Sequence, residues 1–595
     1  MSGLCSRLNC TAARGRDVMH WMLAISLGLA CCSSRVADPD LWGHIQYGRE
    51  VLQSGALPET ATWTYLAENA RWVNHENIAE LLLAFSFDQF GTPGLIGLKL
   101  LAGCLLFGLL IFSARRSGVG WFVICLTCAV VGSNIQFHWH YRPQILTYVS
   151  LAALLTLWQW IFRDQGSAQF FESPDACRRL GALFRAVPLM CIWTNSHGGF
   201  AAGLAIMVAY HGMITFQCVT ATGLKSWKPL VCLWGMTLVI TASSVVNPYG
   251  FEHWAFMYDA LTLPRPEISD WQPLPLADRD AIRFWSLIGL TIVGIWSVVQ
   301  PHQRSSVRDT VRDVVNTGQN LPQWILLALL LWQGMSHCRH MAIVAVVFGF
   351  WMPRHLQVLI DRWQQIFAAR LQSIQRSDRP RLNPRGMMAG SAVMVGLCLF
   401  RIGDDASDIV VDRSEFPVAA MEYLSEHRLQ GRMLVTFNWA QYAIGCFGAP
   451  GSHLSDSRVA VDGRFETCYP RDVTDRCFDF WFGVPNPKQR YRSPLSPAYQ
   501  PEAALDLGRP DLVLISRDQQ PSVRVMRQRS DFALVYEDSI AELWVRRSVL
   551  STIAGGGPLT GSEMPMRGGE QVGSVSFPAL PIGTMAPLRL TRADR

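Results

Sequence analysis

The sequence predicts a mainly helical membrane protein, a polytopic bundle of about 11 transmembrane helices followed by a small extracytoplasmic α/β domain. Three observations predict this class. Only 16% of the residues are charged and 50% are hydrophobic, whereas roughly 25% are charged in ordinary soluble domains. Long apolar windows alternate with short polar loops over most of the chain. After about residue 403 the pattern changes to short apolar runs that are typical of β-strands.

The apolar windows follow a short basic N-terminus, residues 1–18, which we expect to be cytoplasmic. A transmembrane helix needs about 20 apolar residues. The windows that reach or approach this length are 19–36, 94–113, 119–137, 143–162, 183–196, 198–218, 229–247, 282–300, 321–336, 340–353 and 387–402. We expect the first window to remain as an uncleaved span, with cleavage as a signal peptide the alternative.

The distribution of basic residues predicts the orientation of the bundle. Lysines and arginines follow every second window, which is the pattern of cytoplasmic loops. We therefore predict a transmembrane domain over 19–402, with a first external loop at 37–93. Within that loop, stretch 77–90 is amphipathic and predicts an interfacial helix, with a further span as the alternative. The net charge of +6 is modest and confined to short loops, so we expect no nucleic-acid partner.

The C-terminal region is predicted to be an extracytoplasmic α/β domain over 403–548. Strands are expected in GRMLVTFNWAQYAIGCFG, SRVAVDGRF, DLVLISRD and FALVYED…AELWVRR, and a helix near 417–428. Residues 549–595 are rich in Gly, Pro, Ser and Met without periodicity, so we expect a disordered tail. The cysteine spacing disfavours a zinc site. One disulfide among Cys446, Cys468 and Cys477 is left open.

Asp38 and Asp40 open the first external loop with D-x-D spacing. Two carboxylates so placed can bind a divalent cation, or one can act as a base while the other holds the cation. The alternative is structural, with Asp40 as the N-cap of an interfacial helix. His44 lies four residues later, on the same face of that helix, where it is a ligand, orients a carboxylate or is merely solvated.

The segment RWVNHENIAE places His75 and Glu76 before the amphipathic stretch. Glu76 is a candidate second acid of the site. Alternatively, Asn74 caps the following helix and Glu76 interacts with its N-terminal dipole.

Two arginines lie at predicted membrane boundaries. Arg142 occurs in HWHYRPQ, and Arg339 precedes His340 in SHCRH. An arginine binds a phosphate with fixed geometry, and charge near the membrane usually faces a cavity. Snorkelling of Arg142 to lipid headgroups is the alternative.

Two further external loops carry polar side chains. Asn195 and His197 occur in TNSHGGF, which predicts either part of the site or a tight turn with a helix cap. Asp270 and Trp271 occur in EISDWQP, where an acid and an aromatic ring suit sugar contact and a structural loop is equally compatible.

These loops are far apart in sequence but emerge at one predicted membrane face. Acids and arginines beside a bilayer suggest a lipid phosphate whose head group is transferred. An acid would activate an acceptor hydroxyl, and an arginine or a cation would stabilise the departing phosphate. The rivals are a transporter or flippase of lipid-linked sugars and an inactive envelope scaffold. The spans contain few ionisable residues apart from Lys99 and His211, which disfavours a transporter.

At these residues the chain resembles the GT-C glycosyltransferase superfamily, integral membrane enzymes that use polyprenyl-phosphate-linked sugars. ADPDLWGHIQYGREVLQSGALPETATWTY…WVNHENIAELLL, RPQIL, NSHGGF, NPYG and CRH resemble bacterial multi-spanning proteins related to the dolichyl-phosphate-mannose–protein mannosyltransferase type. The resemblance covers about residues 19–350 and includes VTFNWAQYAIG…RVAVDGRFE. The chain departs from the narrower group at two positions. Gly43 stands where that group has an aromatic residue, which is expected to loosen the packing around His44. Asp270 stands where that group has a glutamate, which has a longer side chain.

The resemblance implies a glycosyltransferase with a catalytic acid in the first external loop, here Asp38 or Asp40. Some superfamily members use a divalent cation, so Mg or Mn at these aspartates is an open expectation. The implied partners are the lipid bilayer, a polyprenyl-phosphate-linked sugar and an acceptor glycan, lipid or protein. The resemblance also implies the inner membrane of a bacterium as the location. The predicted function is transfer of the sugar on the periplasmic side, with His75 and Glu76 supporting the base and Arg142 and Arg339 holding the phosphate.

Overall fold

The computed structural model describes residues 2–162, 167–263, 265–299, 320–373, 384–485, 496–553 and 566–581. The region before the C-terminal domain is helical. Its α-helices are α1 (Ser2–Cys32), α2 (Leu41–Ser54), α3 (Asn77–Phe90), α4 (Thr92–Arg116), α5 (Trp121–Ile135), α6 (Gln144–Phe162), α7 (Ser167–Phe171), α8 (Ala176–Leu180), α9 (Ala186–Thr194), α10 (Phe200–Thr222), α11 (Trp227–Ser243), α12 (Phe251–Thr262), α13 (Arg279–Val299), α14 (Leu321–Ser336), α15 (Met341–Trp351), α16 (Pro353–Ser373) and α17 (Pro384–Asp405).

Every apolar window of the sequence overlaps a helix, so the predicted polytopic helical bundle is confirmed. Within the described residues, 6 helical stretches are long and apolar enough to cross a membrane, or up to 7 if the bent pair Cys338–Trp351 and Pro353–Phe367 is one span. The predicted number of about 11 is larger. The three shortest windows form helices of only 9, 16 and 11 residues, α10 and α11 are counted as one stretch, and α1, which contains the first window, is not among the candidate spans.

Helices α2 and α3 lie in segment 37–93, which keeps the name first external loop after its predicted location. The two helices cross at close distance. A Cβ atom on Gly48 of α2 would lie 2.2 Å from the backbone oxygen of Glu80 on α3. Only a glycine permits this approach. Because His44 lies one helical turn before Gly48, the crossing carries its ring onto the same part of α3.

The C-terminal domain combines a mixed sheet with short helices. The helices are α18 (Val418–Glu426), α19 (Ala440–Phe447), α20 (Arg471–Phe482), α21 (Ala503–Asp506), α22 (Gln520–Gln528) and α23 (Arg547–Ile553). The strands are β1 (Val410–Asp412), β2 (Arg432–Val435), β3 (Arg458–Val459), β4 (Leu512–Ser516), β5 (Phe532–Glu537), β6 (Ala541–Arg546), β7 (Met566–Arg567) and β8 (Ser574–Ser576).

Six strands form one sheet in the order β3-β2-β4-β6-β5-β7, and β1 pairs with β8. β2 is parallel to both β3 and β4, whereas β6 is antiparallel to β4 and β5. In β4 the four residues from Leu512 to Ile515 are fully buried, as expected for a central strand covered on both faces. The predicted α/β domain is therefore confirmed as a fold.

The strand prediction for GRMLVTFNWAQYAIGCFG was wrong in its second half. Only Arg432–Val435 is a strand, and Ala440–Phe447 is the helix α19. All eight residues of α19 are buried, and a short, fully buried apolar run has no periodicity that separates helix from strand. The three C-terminal cysteines for which a disulfide was left open, Cys446, Cys468 and Cys477, are free thiols.

The prediction of a disordered tail over 549–595 was wrong for part of that segment. Residues 549–553 extend α23, and 566–581 contain β7 and β8. The Trp42 side-chain N–H donates to the carbonyl of Pro578 at 2.9 Å, and the Tyr442 hydroxyl donates to that of Ala579 at 2.6 Å. These contacts join residues 536 and 137 positions apart, so local composition does not reveal them. Residues 554–565 and 582–595 lie outside the described residues.

The first external loop packs into the core of the C-terminal domain. Aromatic residues of the loop, such as Trp42 and Trp72, belong to the same buried cluster as the sheet residue Leu514. A Cβ atom on Gly43 would lie 2.0 Å from the side-chain oxygen of Gln441 in α19. The expectation that Gly43 loosens this region was therefore wrong, because the space of a side chain is filled by Gln441. A second buried cluster forms the core of the helical bundle.

Candidate active site

Arg142 bridges the two aspartates at the start of the first external loop. Oδ1 of Asp38 accepts a hydrogen bond from Nε of Arg142 at 2.6 Å and one from the backbone N–H of Asp40 at 2.9 Å. Nη2 of Arg142 lies 3.0 Å from Oδ2 of Asp40. The Asp38 side chain is 2% exposed, whereas those of Asp40 and Arg142 are each 27% exposed. The guanidinium thus pairs with one buried carboxylate and one that remains accessible.

Local structure explains why these groups meet. The backbone N–H of Ala37 donates to the carbonyl of Val410 in β1 at 2.8 Å, which fixes the chain just before the aspartates. Asp40 precedes α2 but its side chain makes no capping hydrogen bond, so the helix-cap alternative is not realised. Arg142 stands immediately before Pro143, and a residue before proline disfavours the helical conformation. Helix α6 therefore begins at Gln144, and Arg142 lies just outside its N-terminus.

The pKa values of the two aspartates are shifted in opposite directions. Burial would raise the pKa of Asp38, but the charge of Arg142 and two hydrogen bonds hold that pKa below its usual value. Burial raises the pKa of Asp40 above its usual value and the neighbouring charge of Asp38 adds to the shift, although Arg142 opposes it. Burial also opposes the charge of Arg142, yet Asp38, Asp40 and Asp270 together raise its pKa. Asp38 is therefore firmly ionised, and Asp40 is the more basic carboxylate.

A second cluster surrounds His44 and includes Glu80, which lies within the predicted amphipathic stretch 77–90 and was not among the predicted site residues. Nδ1 of His44 lies 3.2 Å from Oε1 of Glu80 and 4.0 Å from Oε2 of Glu76. The side-chain amide of Asn74 donates to the other oxygen of Glu80 at 2.7 Å. The signal that could have identified Glu80 is its spacing of four residues from Glu76, the N-cap residue of α3, because residues four positions apart at a helix start lie on the same side.

Neighbouring charges shift the pKa values of His44 and Glu76. Burial would lower the pKa of His44, but the hydrogen bond to Glu80 and the charges of Glu76 and Glu80 raise that pKa to about 9. Burial and the neighbouring charge of Glu80 raise the pKa of Glu76 to about 7. These interactions favour the protonated form of His44, which would have to release that proton before Nδ1 could bind a metal ion, and they bring the pKa of Glu76 close to neutral pH.

Two neutral histidines flank Glu76. Nε2 of His75 lies 3.9 Å and Nε2 of His197 lies 3.8 Å from Oε1 of Glu76. The backbone N–H of Gly199 donates to Nδ1 of His197 at 2.9 Å, so the ring proton is assigned to Nε2, facing Glu76. Burial lowers the pKa of His75 to about 3 and that of His197 well below its usual value. The segments 74–77 and 195–199 therefore meet around one carboxyl group.

The remaining predicted loops are joined to the same region. The ring of Trp271 lies 4.4 Å from the guanidinium carbon of Arg339 and 6.2 Å from the ring of His340. The charge of Asp270 contributes to the raised pKa of Arg142, after the larger effects of burial, which lowers it, and of Asp38 and Asp40. The charge of Arg339 lowers the pKa of His197, after the larger effect of burial.

Backbone contacts hold these loops in place. Nε2 of His138 lies 3.0 Å from the carbonyl oxygen of Cys338, and the N–H of Cys338 donates to the carbonyl of Gln272 at 3.1 Å. The loop that carries Arg142 is thereby connected to those that carry Asp270 and Arg339.

Asn195 has a different place. Its amide nitrogen donates to the carbonyls of Cys191 and Val246 at 2.8 and 2.9 Å, so it holds the turn together.

The C-terminal domain touches the site through the turn 462–464. A Cβ atom on Gly463 would lie 2.5 Å from Oδ1 of Asp40 and 2.4 Å from Nε2 of Gln441. Asp462 is fully buried and pairs with Arg464 at 2.7 Å. The sequence favoured an acceptor-side turn at Asp462, Gly463 and Arg464 no more than a structural β-turn, and it contained no signal that Gly463 contacts Asp40, more than 400 positions away.

The donor chemistry of the His44 cluster fits a divalent cation. His44, Glu76 and Glu80 each offer one ligand atom, and these atoms lie within 4.8 Å of one another. One imidazole and two carboxylates suit a transition-metal ion such as Mn²⁺ better than Mg²⁺, which prefers oxygen ligands. The predicted cation position between Asp38 and Asp40 is instead bridged by the guanidinium of Arg142. Metal ligation by those aspartates stays a prediction.

No protein-family model matches the sequence, and no curated protein matches it. Solved structures do match the fold. One is the oligosaccharyltransferase AglB from Archaeoglobus fulgidus in complex with an inhibitory peptide and a dolichol-phosphate, with a TM-score of 0.53 and 9% identity over 84% of this chain and 69% of that chain. The apo form of the Archaeoglobus fulgidus oligosaccharyltransferase matches with a TM-score of 0.51 and 9% identity over 87% and 73% of the two chains.

ArnT from Cupriavidus metallidurans in the apo state is similar over 91% of this chain and 99% of its own, with 15% identity and a TM-score of 0.46. The fold assignment rests on the oligosaccharyltransferase, whose TM-scores exceed 0.5. At 9% identity the similarity establishes the architecture, and the predicted resemblance is confirmed at the level of the fold.

Proposed function

We propose that this chain, which has the GT-C fold, is a membrane glycosyltransferase that moves a sugar from a polyprenyl-phosphate donor to an acceptor hydroxyl. The observation that carries the proposal is the bridge that Arg142 makes between Asp38 and Asp40. It places a fixed cation beside an accessible carboxylate at the end of candidate span α6. Transfer of a phosphate-linked group needs such a pair, a base for the acceptor and a positive charge for the leaving phosphate.

Asp38 positions Arg142. Its carboxylate is buried and ionised, and it accepts the Nε hydrogen bond that fixes the plane of the guanidinium. Nε and Nη2 of Arg142 face the two aspartates, so Nη1 is the donor that we expect to meet a phosphate oxygen. Arg339, which lies over Trp271, is the second candidate for phosphate contact.

Asp40 is the proposed base. It is accessible and its pKa is raised, and both properties suit a group that must accept a proton. Asp40 takes the proton of the acceptor hydroxyl as the acceptor oxygen forms a bond to the anomeric carbon. The bond from that carbon to the phosphate oxygen breaks, and its electron pair leaves with the polyprenyl phosphate beside Arg142. A single displacement of this kind inverts the anomeric configuration.

The His44 cluster would hold a divalent cation. His44, Glu76 and Glu80 are the ligands, and Asn74 orients Glu80. When bound, the ion would supply Lewis-acid stabilisation of negative charge on phosphate. His75 and His197 keep the Glu76 side chain between two neutral rings and thereby hold its orientation.

The distribution of basic loops supports a periplasmic location for the reaction. Lysines and arginines follow every second apolar window, and the polar loops that form the site lie on the other side of the bundle. Because basic and polar loops alternate in this way, the C-terminal domain falls on the extracytoplasmic side. The protein is then a multi-pass component of a bacterial inner membrane. The acceptor is a glycan, lipid or protein exposed at that surface.

The donor class is tested with the purified full-length protein and radiolabelled hexose, supplied either as polyprenyl-phosphate hexose or as nucleotide hexose, with a membrane extract as the source of acceptor. We expect label to enter the extract only from the lipid-linked donor. Transfer from the nucleotide sugar alone, or the absence of transfer from both, would reject the proposed reaction.

A further inference from the structure

Helix α19 of the C-terminal domain packs against α2 of the first external loop through glycines. Gln441, Gly445 and Gly448 follow one another at spacings of four and three residues, so they lie on one face of α19 and its C-terminal end. A Cβ atom on Gly445 would lie 2.6 Å from Cδ1 of Trp42, and one on Gly448 would overlap the side-chain amide of Gln46. The face of α19 that begins at Gln441 is therefore in direct contact with α2.

Gln441 fills the space beside Gly43 of α2. The residue is only 3% exposed, and a Cβ atom on Gly43 would overlap its Oε1. That oxygen is buried and has no hydrogen-bond partner in the described part of the chain. Packing against Gly43, rather than a hydrogen bond of Oε1, therefore holds the Gln441 side chain in place.

The amide nitrogen of Gln441 lies next to Asp40. A Cβ atom on Gly463 would overlap Nε2 of Gln441 and would lie 2.5 Å from Oδ1 of Asp40, so both atoms border the same glycine. Oδ2 of Asp40 is the oxygen that faces Arg142. An amide nitrogen donates hydrogen bonds, whereas an amide oxygen in its place would repel the carboxylate. The orientation that brings Nε2 towards Asp40 is therefore the one that electrostatics favour.

We propose that Gln441 is a positioning residue for Asp40, with its amide nitrogen fixing Oδ1 while Arg142 fixes Oδ2. This inference rests on the proposed function, from which it takes the role of Asp40 as the base. A base must stay within hydrogen-bond reach of the proton that it accepts, and small displacements lower the rate strongly. Each carboxylate oxygen has two lone pairs, so Oδ1 can still accept the proton of the acceptor hydroxyl. The C-terminal domain thereby supplies part of the site.

The matched control for Gln441→Met is Gln46→Met. Both glutamines are buried at the contact between α2 and α19, each packs against a glycine of the opposite segment, and Oε1 of each is without a hydrogen-bond partner among the described residues. Methionine has a similar length and no amide group. Gln441→Met removes the amide beside Asp40, whereas Gln46→Met makes the same change six positions further along the chain than Asp40.

Initial rates of transfer from polyprenyl-phosphate hexose to a membrane extract are measured for the full-length wild type and both variants. We expect Gln441→Met to lower kcat by roughly tenfold with an unchanged KM for the lipid-linked donor, and Gln46→Met to keep the wild-type kcat. Gln441→Leu serves where Gln441→Met does not fold, with Gln46→Leu as its control. Equal values of kcat in the matched variants would overturn the proposal, because Gln441 would then have only a packing role.

The pH–rate profile gives a readout that packing alone would not change. Loss of the amide donor disfavours the ionised form of Asp40, so the midpoint at which activity falls with falling pH should lie higher in Gln441→Met than in Gln46→Met. The charged groups that act on Asp40 are the same in both variants, namely Arg142, Asp38, His44 and Asp462. Identical midpoints in the two variants would count against the proposal.

Thermal unfolding of the purified protein tests the contact without a transfer assay. We expect the shift in the unfolding midpoint caused by Gln441→Met to change when Asp40 is already replaced by Asn, and the shift caused by Gln46→Met to be the same in both backgrounds. Strictly additive shifts for Gln441 and Asp40 would overturn the positioning role even in an active enzyme. Coupled shifts in a protein that transfers no sugar would support the contact and reject the glycosyltransferase.

Discussion

Nε of Arg142 lies 2.6 Å from Oδ1 of Asp38, although the two residues are 104 positions apart. The pair connects the start of the first external loop to the N-terminal end of α6. Asp38 is almost fully buried, so its negative charge depends on this one guanidinium.

Replacement of Arg142 by Gln should destabilise the protein by about 3 kcal/mol, because it leaves the Asp38 carboxylate buried without its cation. The thermal unfolding midpoint of the purified protein in detergent measures this effect. Arg142→Lys is the control, since it keeps the charge and should unfold at a higher temperature than Arg142→Gln.

The double variant Asp38→Asn with Arg142→Gln removes both charges and should recover part of the lost stability. If the double variant were as unstable as the sum of the two single variants, Asp38 and Arg142 would not be energetically coupled.

Gly463→Ala should impair transfer without unfolding the protein. The new Cβ would meet the side-chain ends of Asp40 and Gln441, which can move aside but only by displacing the proposed base. We expect kcat to fall by roughly 10- to 100-fold. Gly403→Ala is the matched control because a Cβ there meets nothing within 4 Å. Equal transfer rates in the two variants would contradict a role for this turn in positioning Asp40.

Glu80→Gln should lower the affinity of the protein for Mn²⁺ by at least about tenfold, because it removes one ligand of the His44 cluster. The metal content of protein equilibrated with Mn²⁺ and then desalted measures this, with Asp88→Asn as a carboxylate control on the same helix. Equal manganese content in the wild type and Glu80→Gln would show that the cluster binds no manganese.

The rate of transfer should depend on the protonation of Asp40. A base acts only when deprotonated, so the rate should fall as the pH falls through its pKa. Because the pKa of Asp40 is raised, the midpoint of this loss should lie above the ordinary value of 3.8. The pH–rate profile of the wild type measures it, with the folded fraction followed at each pH. A midpoint at or below 3.8 would contradict the assignment of Asp40 as the base.

Much of the bundle could be predicted from the sequence because membrane helices carry their signal locally. A backbone that crosses a bilayer must satisfy its own hydrogen bonds, so each apolar window forms a helix. α4 illustrates this, with Pro93 at its start and Arg115 and Arg116 in its last turn. Asp38 and Arg142 were found for a similar reason, since charged residues at the ends of apolar windows are rare and conspicuous.

The parts that could not be predicted depend on long-range contacts. Glu80 is one acid on an amphipathic helix, and only the crossing at Gly48 brings it to His44. The contact between Gly463 and Asp40 joins the two domains and has no local pattern. The ordering of Pro578 by Trp42 likewise depends on a side chain at the other end of the chain.

The central claim, that Asp40 is the base of a sugar transfer from a lipid phosphate, is tested most directly by one comparison. Initial rates of transfer from polyprenyl-phosphate hexose are measured for the wild type, Asp40→Asn and Asp88→Asn. Asp88 is the matched control because it too is an aspartate of the first external loop paired with an arginine, 2.6 Å from Arg49. We predict that Asp40→Asn transfers sugar at least roughly 100-fold more slowly than the wild type while Asp88→Asn is unaffected. Wild-type rates in the folded Asp40→Asn variant would contradict the account.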